Sequence, residues 1–322
     1  MVDDLPVVLV VAAFALHLLG ERRAATRTGR PRDRRARRRA LTFYAALLTI
    51  LVALTGPLDT LAGQLFWAHM IQHLLLLVVA APLIVLSRPW ASLWRPFPLR
   101  WRRPVARTLA RSPSCAPIRA LSRALNRPPG AWLAFNLNLV FWHLPGPYDL
   151  TLHNTYVHIL EHTTFLVFGI LFWAQVTKAK FPYALRIGYL AAAMLINVGL
   201  SIVLAFAQHP LYGPYARLAH RPGGISALAD QQIGAGIMWA FGDLPLAIAL
   251  ALLVHGWLAA QEARAPQLAA LAAVPPAVVA AGSPKTLGGI PARGQPAAKR
   301  GCDTHATTDS RQHRAADTPG AK

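Results

Sequence analysis

The chain has 322 residues, of which 54% are hydrophobic and only 14% charged, with a mean hydropathy of +0.36. A soluble domain carries about a quarter charged residues, so this composition excludes an ordinary soluble fold. The formal net charge is +20, but the arginines stand in runs between long apolar stretches; that pattern excludes nucleic-acid binding and points to membrane headgroups.

The apolar stretches run to about 16–25 residues, the length needed to cross a ~30 Å hydrocarbon core. They predict an all-α polytopic membrane protein, a bundle of seven spans at about 5–20, 41–57, 65–87, 130–144, 155–176, 187–207 and 232–258. Residues 1–260 make the transmembrane domain and 261–322 a polar, Ala/Pro/Gly-rich tail expected to be disordered.

The first span opens on the acidic MVDDLP, and its arginines follow the apolar run. This reverses the order of a secretory signal and fits an anchor with its N-terminus outside. Ten arginines lie between Arg22 and Arg39, and ten more between Arg88 and Arg127. With the N-terminus outside, segments 21–40, 88–129, 177–186 and 259–322 are cytoplasmic and hold 31 of the 33 Lys/Arg residues. That is the positive-inside arrangement, with the C-terminus cytoplasmic and anionic lipid as a partner of this face. His17 falls near the cytoplasmic end of the first span and reads as interfacial or structural.

The third span begins FWAHMIQHLLLLVV. On a helix, positions i, i+3 and i+4 share one arc, so His69, Gln72 and His73 of HMIQH are expected on one side. Residues 88–129 (RPWASLWRPFPLRWRRP onward) read as an interfacial segment, with an amphipathic helix at 103–126. The fourth span ends at His143 in WHLPGPYD, and Asp149 and His153 follow in an outer loop.

The fifth span carries HILEH, residues 158–162, a near-copy of HMIQH with Glu161 in place of the amide. His69 and His73 sit roughly 6–12 Å below their helix start, and His158 and His162 roughly 5–11 Å below theirs. If the two arcs face each other, four imidazoles, a carboxylate and an amide converge in the outer leaflet. Ionisable groups inside a membrane are costly and mark functional sites.

His209 and His220 follow the sixth span in a long outer loop. The last span opens DQQIGAGIMW and continues AFGDLPLAIAL. Asp230, Gln231 and Gln232 lie at its outer end, and Met238 is level with the histidine pairs. Met238 is a soft thioether, a ligand type suited to Cu(I). Asp243, just before Pro245, is placed to hydrogen-bond at a proline kink or to support a site. His255 sits near the cytoplasmic end. His305 and His313 belong to the tail and carry no expected role. Cys115 and Cys302 both fall on the cytoplasmic side, where a structural disulfide is not expected.

Imidazole suits zinc, copper and iron alike, so several chemistries remain open. H-x-x-E-H is also a zinc peptidase pattern, in which Glu161 would activate water. A haem would take one histidine from each helix as axial ligands. In a plain scaffold the histidines would only pack. As a metal centre, the set would be His69, His73, His143, His158, His162 and Glu161. Gln72, His153, Asp230, Met238 and Asp243 would be supporting groups.

Three blocks, AHMIQHLLLLVVAAPLIVLSRP, WHLPGPYDLTLHNTYVHILEHTTFLVFGILFWAQV and DQQIGAGIMW, together resemble the multi-pass CtaG family of cytochrome c oxidase assembly factors. The resemblance covers about residues 35–260 and concerns the integral seven-helix family, not the single-span copper chaperone that shares its name. It implies a bacterial inner-membrane protein, without turnover chemistry, that helps mature a haem–copper oxidase by supporting copper insertion. The implied partners are oxidase subunits and periplasmic copper chaperones. The residues carried over are His69, His73, His143, His158, Glu161, His162 and Asp230.

Overall fold

The computed structural model describes residues 4–28, 33–178 and 181–272. The tail expected to be disordered from residue 261 is helical as far as Ala272, and the expectations for Cys302, His305, His313 and the rest of the tail lie outside the described residues. Met1–Gln267 forms one compact unit, and it holds every candidate site residue. The second unit, Leu268–Lys322, is described only to Ala272, the end of the last helix.

Among the described residues the regular structure is helical throughout. Seven principal helices follow the apolar stretches: α1 (Leu5–Thr28), α2 (Arg34–Leu54), α3 (Phe66–Ser87), α4 (Pro128–Trp142), α5 (Thr155–Val176), α6 (Tyr183–Ala205) and α7 (Ala227–Pro266). Five of them, α1, α3, α5, α6 and α7, are long and apolar enough to cross a membrane. The other two fall short for visible reasons: α2 opens on RRARRR, and α4 has 15 residues against the ~20 a full crossing needs.

Residues 88–129 fold as three short helices, Trp90–Trp94, Leu99–Arg111 and Ala116–Leu125. The single helix expected at 103–126 is therefore broken in two. Pro113 explains the break, because its ring drives the preceding Ser112 into an extended conformation, with ψ 132°.

Helix α3 is the most buried span. It packs on α2 through Ala46, Ile50 and Ala53 against Leu76, Ala80 and Ile84. On another side it meets α5, where Trp173 donates its indole N–H to the Leu77 carbonyl at 3.0 Å. A Cβ on Gly169 would stand 3.0 Å from the Ala81 methyl and 3.3 Å from the Leu77 carbonyl oxygen, so glycine sets how closely these helices approach. Residues 158–162 meet 69–73, and 169–173 meet 77–81. The partners rise together along the chain, so α3 and α5 run parallel, and the two histidine motifs share one level.

Two π-helical turns interrupt the bundle, Leu75–Ala80 in α3 and Met238–Gly242 in α7. Each lies just before a proline, Pro82 and Pro245, whose ring collides with the carbonyl four residues back. Widening the turn relieves that collision. In α7 the Asn197 amide from α6 donates to the Met238 carbonyl at 3.0 Å, giving the displaced backbone a partner. Both irregular turns border the histidine level, as π-bulges at functional sites commonly do.

Candidate metal centre

Helix α3 contributes His69 and His73, and α5 contributes Glu161 and His162. One ligand atom from each of these four residues lies within 4.8 Å of all the others, and all four side chains are buried. Glu161 is wedged against α3, with its Oε2 3.3 Å from His69 Nε2 and its Oε1 3.3 Å from His73 Nε2. The rings interleave: centroids lie 5.6 Å apart for His69–His162 and 5.5 Å for His73–His162. The two arcs therefore do face each other. His158 stacks at the edge of the group, 4.3 Å from the His162 ring and 5.1 Å from His69, outside the set of four.

The position of one proton can be read from the partners. His69 Nδ1 lies 3.4 Å from the Tyr215 hydroxyl, which itself donates to the Ala62 carbonyl and receives the O–H of Tyr148 at 3.4 Å. Tyr215 therefore accepts from His69 Nδ1–H. In the neutral ring that fixes the tautomer and turns the Nε2 lone pair toward the Glu161 carboxylate. A carboxylate facing imidazole nitrogens in a dry interior is neutralised either by a proton shared with them or by a metal cation held between them. An unneutralised buried carboxylate costs several kcal/mol. The Nε2 atoms of His69, His73 and His162 have no hydrogen-bond partner among the described residues. Three imidazole nitrogens and one carboxylate at this spacing fit a divalent or monovalent first-row transition ion.

Three tyrosines roof the cluster: Tyr148 from the helix Pro145–His153, Tyr212, and Tyr215 from the short helix Gly213–Ala216. Burial pushes all three phenols above their usual range, so they act as neutral O–H groups. Tyr212 donates to the His143 carbonyl at 3.0 Å, and its ring stacks on Phe66. These tyrosines leave no mark in the sequence, because an isolated tyrosine in an outer loop has no spacing to single it out.

The remaining candidates take separate positions. Gln72 turns toward α2, donating to the Ala53 carbonyl at 2.7 Å and to Asp59 at 2.9 Å, so its amide ties helices together. Asp230 accepts the backbone N–H groups of Phe66 and Trp67 at 2.9 and 3.0 Å. It thus caps, from α7, the helix that carries His69 and His73, where a negative charge also suits the dipole. Gln231 bridges the Leu204 carbonyl and the Leu211 N–H.

His153 is exposed and donates to the Asp149 carbonyl at 2.7 Å. His143 lies on the far side of His73, with ring centroids 5.9 Å apart. Met238 and Asp243 line a small cavity there with His143 and His73. On the opposite side His158 and His162 border a cavity of about 360 Å³ between α1, α2, α3 and α5, with Asp59 at its wall. His17 packs on Phe43 with Nδ1 3.3 Å from the Tyr44 hydroxyl, away from this centre.

The chain is 28% identical over 206 residues to an uncharacterized protein of Mycobacterium bovis, a match covering 61% of this chain and 30% of that protein. The same figures hold for an uncharacterized protein of Mycobacterium tuberculosis. One of Mycobacterium leprae is 22% identical over 234 residues, 68% of this chain and 34% of its own length. The chain thus spans about a third of the length of these relatives. No solved structure matches it. The family model of the cytochrome c oxidase caa3 assembly factor (Caa3_CtaG) matches residues 15–260, a stretch that contains the whole histidine–glutamate centre, and the chain belongs to that family.

Proposed function

We propose that this protein handles copper for a haem–copper oxidase from within the bacterial inner membrane, using His69, His73, His162 and Glu161 as a cargo site in the outer leaflet. The observation that carries the reading is the set of four buried donor atoms within 4.8 Å of one another. In this reading α2 and α4 cross together with the five long apolar helices and the N-terminus is outside, so the histidine level faces the side from which oxidase copper centres are reached. The protein performs no turnover. It receives copper from periplasmic chaperones, holds it without thiolate, and yields it to oxidase subunits. Imidazoles and a carboxylate retain copper less tightly than several cysteines would, as transfer requires. The cavity beside His158 and His162 provides an entrance from the outer half of the bundle.

A hydrolase would need Glu161 free to activate water. Its two oxygens instead stand 3.3 Å from imidazoles of α3, the position of a ligand or ligand-orienter. The test is metal analysis of purified protein, wild type against His73→Ala and His162→Ala, alongside the copper content of the oxidase from the same cells. Copper bound to wild type, lost in both variants, with the oxidase depleted, is the expected result. Zinc in place of copper, with hydrolysis abolished by Glu161→Gln, would overturn the reading. So would no metal together with normal oxidase copper in both variants.

A further inference from the structure

The pair formed by Met70 and His143 is used neither by the histidine–glutamate centre nor by the capping network. His143 Nδ1 lies 2.7 Å from the Leu139 carbonyl. A carbonyl only accepts, so the proton is on Nδ1, and in the neutral ring Nε2 carries a lone pair. That lone pair faces the Met70 sulfur at 3.3 Å. A thioether sulfur has no proton to give, and here Nε2 has none either. Two buried lone pairs therefore point at one place with no hydrogen between them.

We propose that Met70 and His143 form a second cation site, specific for a soft monovalent d¹⁰ ion, Cu(I) or its probe Ag(I). The spacing fits. Bonds of about 2.0 Å to nitrogen and 2.3 Å to sulfur convert the 3.3 Å separation into an angle of about 100° at the ion, close to tetrahedral. Both residues line a cavity of about 20 Å³, large enough for one water-sized occupant. The same cavity is lined by Met238, a second thioether, and by the Asn197 side chain. The Asp243 carboxylate also lines the cavity, but the pair at contact distance is thioether sulfur and imidazole nitrogen, and these favour Cu(I) over zinc or magnesium.

The two sites adjoin through one residue. His73 borders this cavity and also meets Glu161 at 3.3 Å. An ion held by Met70 and His143 is thus one imidazole away from the histidine–glutamate centre. The arrangement is a two-step relay, with a harder histidine–carboxylate post on one face of α3 and a softer, thioether-bearing post on the other. The inference rests on the copper-handling reading but requires no ligand from Glu161 or His162, so the two can fail separately.

The test uses the full chain in a Cys115→Ser/Cys302→Ser background, loaded anaerobically with Cu(I) under ascorbate, and reads X-ray absorption at the copper edge. A sulfur scatterer at about 2.3 Å is expected in this background. It should vanish in Met70→Leu, a volume-conserving change, while His162→Ala keeps it. Met70→Leu should retain metal at the histidine–glutamate centre, which shows that it folds. Absence of sulfur in the parent overturns the second site, as does sulfur that persists in Met70→Leu or disappears in His162→Ala. Loss of all copper from His162→Ala with the parent sulfur signal intact would instead show one merged centre, also overturning the proposal.

Discussion

Glu161, His69 and Tyr215 form a chain in which each group fixes the next. Tyr215 gives its O–H to Ala62 and receives the Nδ1–H of His69, and His69 then offers Nε2 toward Glu161. Removing the hydroxyl frees the imidazole to take the other tautomer without changing the packing. Tyr215→Phe is expected to weaken metal binding about 10- to 100-fold, the usual effect of losing a group that orients a ligand. A competition titration with a chelator measures it. Glu161→Gln removes the anion between two imidazoles and is expected to weaken binding at least as much, with the helical circular dichroism unchanged. The histidines and Glu161 were legible in the sequence because two i, i+4 pairs inside apolar helices are conspicuous. The tyrosines and Met70 were not. A Met between two histidines reads as core, and only the approach of His143 from α4 makes its sulfur a donor.

At the scale of elements, the position of α3 decides whether the centre exists. Asp230 reaches across from α7 to cap its first turn, and this works because α7 comes very close. A Cβ on Gly234 would lie 2.4 Å from the Phe66 ring and 3.2 Å from the Trp67 backbone. Asp230→Ala, which strips two N–H partners from α3, is expected to cost about 1–2 kcal/mol. Gly234→Ala forces the helices apart and is expected to cost about 1–3 kcal/mol. Thermal unfolding in detergent measures both, and metal affinity should fall with them as His69 and His73 shift. The sequence suggested a supporting role for Asp230 from its place in the last block, but not which backbone it serves. Gln72 shows the converse. Its place in the motif suggested an imidazole partner, yet the i+3 position on α3 faces α2, where Ala53 and Asp59 take its amide. An arc of 100° on a helix is wide enough to reach two neighbours.

For the whole molecule, the distribution of arginine makes the strongest prediction. The helices Leu99–Arg111 and Ala116–Leu125 expose arginines together with Trp101, Leu109, Ile118 and Leu121. This is the composition of a segment lying in the headgroup layer. With that segment cytoplasmic, an impermeant maleimide should label Cys115 in inverted inner-membrane vesicles and not in intact spheroplasts, using Cys302→Ser to remove the other thiol. Labelling from the outside would reverse the orientation, and with it the side on which the histidines open.

The sequence by itself determined the class of fold, the apolar helices, the charged face and the two histidine motifs. Each of these is written in local composition and in a 3.6-residue period, which survive without any knowledge of neighbours. Only the tertiary structure decided that α3 and α5 run parallel with His69, His73, Glu161 and His162 in reach of one ion. It also decided that His143 belongs with Met70 on the other face of α3, and that Asp230 serves a helix end. Those outcomes depend on which helices are adjacent and on how closely Gly169 and Gly234 let them approach. Contacts between residues far apart in the chain leave no periodic trace in either segment, so the sequence carried the donors but not the distances between them.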